Sequence, residues 1–236
     1  MLLAGIGLAS AYAGLRYGLP TLSERLRGLQ FEALDRPAGF RRLASTGSTS
    51  GGSFDPLIGL APAADPVRPS CRGLFETVAS PGIVPVAYFT DYNCAYCRAL
   101  SPRLEALDGV RITLHELPRL GDGSVAMARA ALAAGLQGAH RSFHHALMRT
   151  PRPSPEAIAR IAVDLDLDPD RLRLDMDVPE VADALARSNA LAALFGIYAT
   201  PALVIGRTLV VGAVASATLD RLVTREVADV PVPACA

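Results

Sequence analysis

The chain has 236 residues, half of them hydrophobic, which suffices for one domain of moderate size or for a domain with a tail. Its 23 acidic and 23 basic residues balance, and a net charge near zero argues against nucleic acid as a partner. Every basic residue is Arg, so lysine Schiff-base chemistry and a P-loop lysine are excluded.

The N-terminal stretch Met1 to Leu15 carries no charged side chain. It is shorter than the about 20 apolar residues that span a membrane, and Ala11-Tyr12-Ala13 has the small-x-small form of a signal-peptide cleavage site. Arginines follow the stretch and none precedes it, which is opposite to the usual charge bias for export, so a buried helix of a cytosolic protein is the alternative. We expect residues 1–19 to be a signal peptide or an N-terminal membrane anchor.

The next segment, residues 20–69, is expected to precede the compact domain. Residues 20–43 are predicted to form a short, Arg-rich amphipathic helix with a break at Pro37 and Gly39. Residues 45–53 have the composition of a flexible linker, and the Pro-rich stretch 56–69 is predicted to be extended. This segment is either an oligomerisation element or a spacer from a membrane.

Strand and helix patterns alternate through the expected domain, residues 70–236. Ser124 is predicted to be the N-cap of the first helix of a long helical block at about 122–196. The predicted elements are strands at 84–90 and 110–117, helices at 95–107, 125–134, 139–149, 155–165, 170–176 and 179–195, a hairpin of 202–205 and 208–211, and a closing helix at 216–225. This order predicts an α/β layer architecture.

Two cysteines separated by two residues, Cys94 and Cys97, stand where the first strand gives way to a helix. The unpaired N–H groups and the positive dipole at a helix start stabilise a thiolate. The first sulfur is therefore predicted to be an acidic nucleophile, and the second can close a disulfide with it. This placement predicts thiol–disulfide exchange.

A set of motifs in this order resembles the thioredoxin-fold thiol–disulfide oxidoreductases of the DsbA family. The set consists of Val86 through Cys97 and Arg98, Glu116-Leu-Pro118, Ser124 with the Ala-rich helix after it, Phe143 through Met148, and Ile197 through Gly206. The resemblance covers roughly residues 80–225. It implies a thioredoxin-like α/β fold with a helical insertion between the CxxC half and the cis-proline hairpin half.

The resemblance also implies roles for individual residues. Cys94 would be the exposed attacking sulfur and Cys97 the buried resolving one. Thr200-Pro201 would be the family's cis-proline loop, which offers backbone groups to a substrate strand. Ala95-Tyr96 stands where DsbA has Pro-His, and without the imidazole we expect a less oxidising couple. Tyr between the cysteines resembles the isomerase and reductase branches, so oxidase and isomerase are not separated by these residues.

Neighbouring polar residues allow more than one interpretation. Asp91 is expected to be a solvated residue at a strand end rather than a modifier of the thiol pKa or a proton relay. Tyr92 and Asn93 are expected to shape the turn into the helix. Arg98 either supports the thiolate or is a solvated surface residue.

The histidines and the outer cysteines leave two further questions. His140 and His144 could join Cys94 and Cys97 in a zinc site, but no second CxxC exists, so we predict no metal and assign Phe143 to Leu147 to packing of the insertion. Cys71 and Cys235 lie near the predicted domain ends and are a candidate structural disulfide, with free thiols or an intermolecular link as alternatives.

The functional expectation is a thiol–disulfide oxidoreductase, either oxidase or isomerase, that acts on exported proteins outside the cytoplasm. It would need no cofactor beyond the Cys94–Cys97 redox pair. The expected partners are unfolded or misoxidised exported proteins and a membrane or periplasmic redox partner. The alternative is a non-catalytic peptide-binding or anchoring protein on the same fold.

Overall fold

The computed structural model describes residues 28–44, 71–76, 82–150 and 154–228. The expected signal peptide or anchor, the linker at 45–53, the Pro-rich stretch 56–69 and Cys235 lie outside these residues. No helix within the described ranges combines the length and the apolar character needed to cross a bilayer.

The described strands form one mixed sheet in the order β1-β2-β6-β5-β3-β4. The strands are β1 (Phe31–Ala33), β2 (Arg41–Leu43), β3 (Val84–Thr90), β4 (Val110–Glu116), β5 (Ala202–Ile205) and β6 (Thr208–Val211). Strand β3 pairs in parallel with β4 on one side and antiparallel with β5 on the other. All residues of β3 are buried, as expected for a β-branched and aromatic run covered on both faces.

The helices follow the strands in the predicted order. Helix α1 (Ala95–Glu105) follows β3 directly, and α7 (Ser216–Ala228) follows the hairpin of β5 and β6. Between β4 and β5 lie α2 (Asp122–Leu136), α3 (His140–Arg149), α4 (Pro155–Asp164), α5 (Pro169–Asp175) and α6 (Pro179–Leu194). The α/β architecture with a helical insertion is therefore confirmed.

Alternation along the strands divides the core between the two faces of the sheet. Phe89 and Val204 face a cluster with helix α6, whereas Tyr88 and Leu203 face a cluster with helices α1 and α7. A third cluster fills the insertion and includes Tyr92, Cys94 and Cys97. The segment around both cysteines is thus packed against the inserted helices.

The predicted amphipathic helix at 20–43 is wrong for the part that the structure describes. Phe31–Ala33 and Arg41–Leu43 form an antiparallel pair, and β2 continues the sheet by pairing in parallel with β6. The sheet therefore includes residues that precede the expected domain start at residue 70. Short strands gain stability from distant partners, which a local helical pattern does not reveal.

Ser124 is not the N-cap of α2, contrary to the prediction. Helix α2 begins at Asp122 with Gly121 at the N-cap position, so Ser124 lies in the first turn. Its side chain is buried and donates a hydrogen bond to Asp91 Oδ1 at 2.7 Å. A contact across 33 residues has replaced the local cap.

A buried carboxylate joins β2 to the C-terminal helix. Glu226 on α7 accepts hydrogen bonds from Arg41 Nη2 at 2.7 Å, from Thr208 Oγ1 at 2.6 Å and from the Arg207 N–H at 2.9 Å. A Cβ at Gly206, in the β5–β6 turn, would clash with Glu226 Oε2, and the residue has φ +55°. The turn therefore needs glycine for two reasons, backbone conformation and space.

The substitution Gly206→Ala tests this arrangement. We expect it to lower the free energy of unfolding by more than the about 1–3 kcal/mol that a strained backbone residue costs, because the clash adds to the strain. Gly138→Ala is the matched control, since Gly138 has φ +80° and no atom near its would-be Cβ. Urea unfolding of both variants measures the difference, and equal losses would contradict the role given to Glu226.

His115 holds the segment 71–76 on the face of the sheet away from α1. Its Nε2 contacts Leu74 O at 2.9 Å, and its ring stacks on Phe89 with 4.7 Å between centroids. Burial lowers the pKa of His115 to about 4. The neutral imidazole therefore belongs to the folded state, and the unfolded chain binds a proton more readily.

Stability should consequently fall on acidification. Because the folded-state pKa of His115 lies below its ordinary value near 6.5, its contribution is complete above pH 6.5 and is lost as the pH falls toward 4. The loss is on the order of 3 kcal/mol for this residue. Urea unfolding from pH 7.5 to 4 should show a smaller slope for His115→Gln than for the wild type. An unchanged slope would refute this attribution.

Candidate active site

The CxxC motif lies at the start of α1, where the sequence places it. Cys94 is the N-cap residue, with extended backbone dihedrals of φ −75° and ψ 112°. Its Sγ accepts a hydrogen bond from the Cys97 N–H at 3.1 Å. Both residues carry thiols rather than a mutual disulfide. The geometry is that of a sulfur held by the unpaired N–H groups of a helix end.

Both sulfurs are buried, so the expected exposure of Cys94 is wrong for this conformation. Cys94 and Cys97 are each 0% exposed, whereas Ala95 is exposed and Tyr96 is 40% exposed. The physical reason is that Cys94 Sγ turns back toward the helix to act as its cap. Within the four-residue motif, the dipeptide between the cysteines is the part that faces solvent.

The environment of Cys97 disfavours its thiolate. Burial, followed by the hydrogen bond and the charge of Cys94, raises the pKa of the Cys97 thiol well above its ordinary value. Hydrogen bonds from the Asp91 backbone and the Thr200 side chain act in the opposite direction without compensating. Cys97 is therefore held as a thiol until its surroundings change.

Thr200 and Pro201 lie next to the motif although they follow Cys97 by more than a hundred residues. Ala202 pairs with Phe89, which places the start of β5 beside the end of β3. The Thr200–Pro201 peptide bond is cis, as the resemblance implies. Thr200 is buried and contacts the Cys97 thiol. The structure thus brings the two predicted parts of the site together.

Asp91 is not solvated, contrary to expectation. It is 1% exposed, and Oδ1 accepts from Asn93 N at 2.8 Å and from Ser124 Oγ at 2.7 Å. Its Oδ2 accepts from the N–H groups of Arg119 and Leu120 at 2.6 and 3.0 Å. The carboxylate joins the end of β3 to the loop after β4 and to α2. Sequence reasoning missed this role because the donors come from distant segments.

Arg98 binds backbone carbonyl groups and is half-buried, so it is not the solvated surface residue of one alternative. It donates to the carbonyl of Tyr92 at 3.1 Å, and also to the carbonyls of Leu147 and Thr150 at the end of α3. Cations are favourable at the C-terminal end of a helix. Arg98 therefore connects the first turn of α1 to the insertion.

The histidines that suggested a metal site bind side chains instead. His140 Nε2 lies 3.0 Å from Glu116 Oε1, and the buried His144 contacts Tyr92 and Ser101. His145 pairs with Glu105. Within the described ranges, no cluster of three or more His, Cys, Asp or Glu side chains has an arrangement suited to a metal ion.

Sequence reasoning missed the polar network formed by Tyr92, Glu116, His144 and Ser101. The available signal was weak: a carboxylate ending a strand, and a Tyr and a Ser flanking the motif.

Cys71 takes part in a disulfide, while its candidate partner Cys235 lies outside the described residues, so their pairing stays a prediction.

Comparison with known proteins agrees with this geometry. Residues 85–224 match the family described as DSBA-like thioredoxin domain. A thioredoxin-like oxidoreductase from Silicibacter pomeroyi DSS-3 is 39% identical with a TM-score of 0.59, over 64% of this chain and 90% of that one. The thiol-disulfide exchange protein alpha-DsbA2 from Wolbachia pipientis is 27% identical with a TM-score of 0.58, over 63% and 84% of the two chains.

A periplasmic thioredoxin-like protein from Salmonella enterica serovar Typhimurium is also similar, with 28% identity, a TM-score of 0.55, and coverage of 65% of this chain and 89% of that one. A search of the curated proteins gave no match. The family match covers more than half of the chain, and its CxxC pair lies at the expected helix start beside a cis-proline. The chain therefore belongs to the DsbA-like thioredoxin-domain family of thiol–disulfide oxidoreductases.

Proposed function

We propose that the protein oxidises or rearranges disulfides in exported proteins, with Cys94 as the attacking sulfur and Cys97 as the resolving one. The observation that carries these roles is the different environment of the two thiols. Cys94 Sγ accepts the Cys97 N–H at the helix start, whereas burial raises the pKa of Cys97. The hydrogen bond at the helix start favours the thiolate of Cys94, whereas burial favours the thiol of Cys97.

The exchange proceeds through a mixed disulfide. In isomerisation, the Cys94 thiolate attacks one sulfur of a client disulfide, forms a bond to it and releases the other client sulfur as a thiolate. That thiolate or another client thiolate then attacks the mixed disulfide and displaces Cys94, which leaves the client with a disulfide. Alternatively, Cys97 loses its proton and attacks Cys94, which forms the Cys94–Cys97 disulfide and releases the client in reduced form. In oxidation, a client thiolate attacks Cys94 of the Cys94–Cys97 disulfide, forms a mixed disulfide and releases Cys97 as a thiolate. A second client thiolate then attacks the client sulfur of that mixed disulfide, which forms the client disulfide and releases Cys94, so that the enzyme leaves reduced.

Substrate contact is proposed for Thr200 and Pro201. Thr200 contacts the Cys97 thiol, and Pro201 directly precedes β5. Backbone hydrogen bonds to an extended client would need little sequence specificity, which suits an enzyme with many clients. Because Cys94 is buried, a client must displace some of the covering atoms to reach its sulfur.

The proposed location is extracytoplasmic, most simply the periplasm, because a similar Salmonella protein is described as periplasmic and disulfide chemistry belongs to oxidising compartments. A membrane or periplasmic partner would restore the redox state of the Cys94–Cys97 pair, for which no further cofactor is proposed. Anchoring or oligomerisation through the N-terminal segment remains part of the proposal.

Two serine variants test the roles of the cysteines. Cys94→Ser should abolish reduction of insulin and reactivation of a scrambled substrate, because no nucleophile remains. Cys97→Ser should accumulate mixed disulfides that are visible by non-reducing electrophoresis and mass spectrometry, because resolution is blocked. Undiminished turnover by Cys94→Ser would refute the proposed function.

The dipeptide between the cysteines offers a test of the redox potential. Tyr96→His should stabilise the Cys94 thiolate and so shift the equilibrium with glutathione toward the dithiol by about tenfold, or about 30 mV more oxidising. Tyr96 is 40% exposed, so the substitution requires no repacking of the core. Tyr96→Phe is the control and should keep the wild-type potential. An equal shift in both variants would rule out a charge effect.

A further inference from the structure

A chain of hydrogen-bonded side chains lies against the CxxC segment. Ser101 Oγ is 2.9 Å from His144 Nε2, and His144 Nδ1 is 3.1 Å from the Tyr92 hydroxyl. That hydroxyl donates to Glu116 Oε1 at 2.8 Å, and His140 Nε2 meets the same oxygen at 3.0 Å. All of these side chains are buried except that of His140, which is 25% exposed.

The donors and acceptors of this chain have a fixed direction. Burial, followed by the charge of Glu116, raises the pKa of Tyr92, so the phenol keeps its single proton and donates a hydrogen bond to the carboxylate. His144 Nδ1 must then donate to the Tyr92 oxygen. Burial also lowers the pKa of His144 to about 3. In the neutral ring Nε2 is therefore an acceptor, and it accepts a hydrogen bond from the Ser101 hydroxyl.

One imidazole consequently contacts both sides of the redox motif. Tyr92 stands two residues before Cys94, and Ser101 stands one helical turn after Cys97 on the same buried face of α1. His144 belongs to α3, which a second contact also joins to this segment: Arg98 donates to Tyr92 O and to the carbonyls at the end of α3. Helix α3 thus holds the segment at both ends.

The contact that this segment must maintain is that between Cys94 Sγ and the Cys97 N–H, which are 3.1 Å apart. A hydrogen bond to a thiolate weakens steeply when its geometry is lost. Movement of Tyr92 away from α1, or rotation of the first turn of α1, would change that distance directly. Fixing both ends keeps the sulfur at the helix end.

We propose that His144 is a positioning residue for thiol–disulfide exchange: by binding Tyr92 and Ser101 at once, it holds Cys94 as the cap of α1 and so stabilises the reduced form of the Cys94–Cys97 pair. The proposal rests on the proposed function, since it concerns the same pair. It assigns to the insertion a part in setting the redox potential.

The test is the redox equilibrium of the full chain with glutathione, in which two thiols of the protein are oxidised as one glutathione disulfide is reduced. His144→Leu should shift this equilibrium toward the protein disulfide by about tenfold, or about 30 mV more reducing. The pKa of Cys94, followed by the ultraviolet absorbance of its thiolate, should rise in the same variant. His144→Asn can keep the donor to Tyr92 and should fall between wild type and His144→Leu.

His115→Leu is the matched control. His115 is also a buried histidine whose pKa is lowered by burial, but it contacts Leu74 and Phe89 rather than the motif. Its loss should reduce the melting temperature and leave both the redox equilibrium and the thiol pKa unchanged. A merely structural role for His144 predicts the same pattern for the two leucine variants.

Smaller changes cover the case in which His144→Leu does not fold. Tyr92→Phe and Ser101→Ala each remove one hydroxyl, and each should shift the equilibrium toward the disulfide. Wild-type values of potential and thiol pKa in folded His144→Leu, or in both hydroxyl variants, would overturn the positioning role. Failure of the wild type to exchange with glutathione would instead overturn the proposed function.

Discussion

The pairing of β3 with strands on both sides is the constraint on which the site depends. Its parallel partner β4 ends at Glu116, and its antiparallel partner β5 begins just after Pro201. The C-terminal end of β3 is therefore the place where the CxxC segment, the cis-proline and a buried carboxylate meet. A shift of one residue in either pairing would turn these groups to the opposite face.

A polar group buried at this end of the sheet is costly away from water unless it is hydrogen-bonded. Asp91 meets this requirement with four donors from three segments, and Arg98 does so with carbonyls of its own segment and of α3. Such contacts fix the loop between β3 and α1 more tightly than apolar packing alone, since hydrogen bonds specify direction as well as distance. The chemistry of the two sulfurs is built on this rigid loop.

Most of the fold from residue 84 onward could be predicted from the sequence, because its elements have clear periodicity. Strands 84–90, 202–205 and 208–211 have their predicted bounds, and the inserted helices agree to within a few residues. The strands at 31–33 and 41–43 could not be predicted, since β1 depends on pairing with β2, and β2 depends on pairing with β6 and on the contact of Arg41 with Glu226.

The residues of the site could be predicted from the sequence, but their burial and their hydrogen-bond partners could not. Spacing and position before a helix identified Cys94 and Cys97, and the family resemblance identified Thr200-Pro201. Three of the four hydrogen bonds of Asp91 and the link from His144 to the motif arise from contacts across 28 residues or more. The burial of Cys94 arises from the way its sulfur turns back to cap the helix. Such contacts are a property of the packed chain, and periodicity contains no information about them.

The pairing of β1 and β2 has a consequence for the exposed edge of the sheet. Strand β2 pairs with the outer edge of β6, and β1, three residues long, then forms the border of the sheet. Trimming the polypeptide to the family-matched span 85–224 would remove both β2 and Glu226 and leave the apolar row Thr208–Val211 with open hydrogen-bonding groups. Exposed edge strands of this kind can pair with strands of other chains and lead to aggregation. Pairing with β2 therefore removes from β6 an edge to which another chain could add a strand.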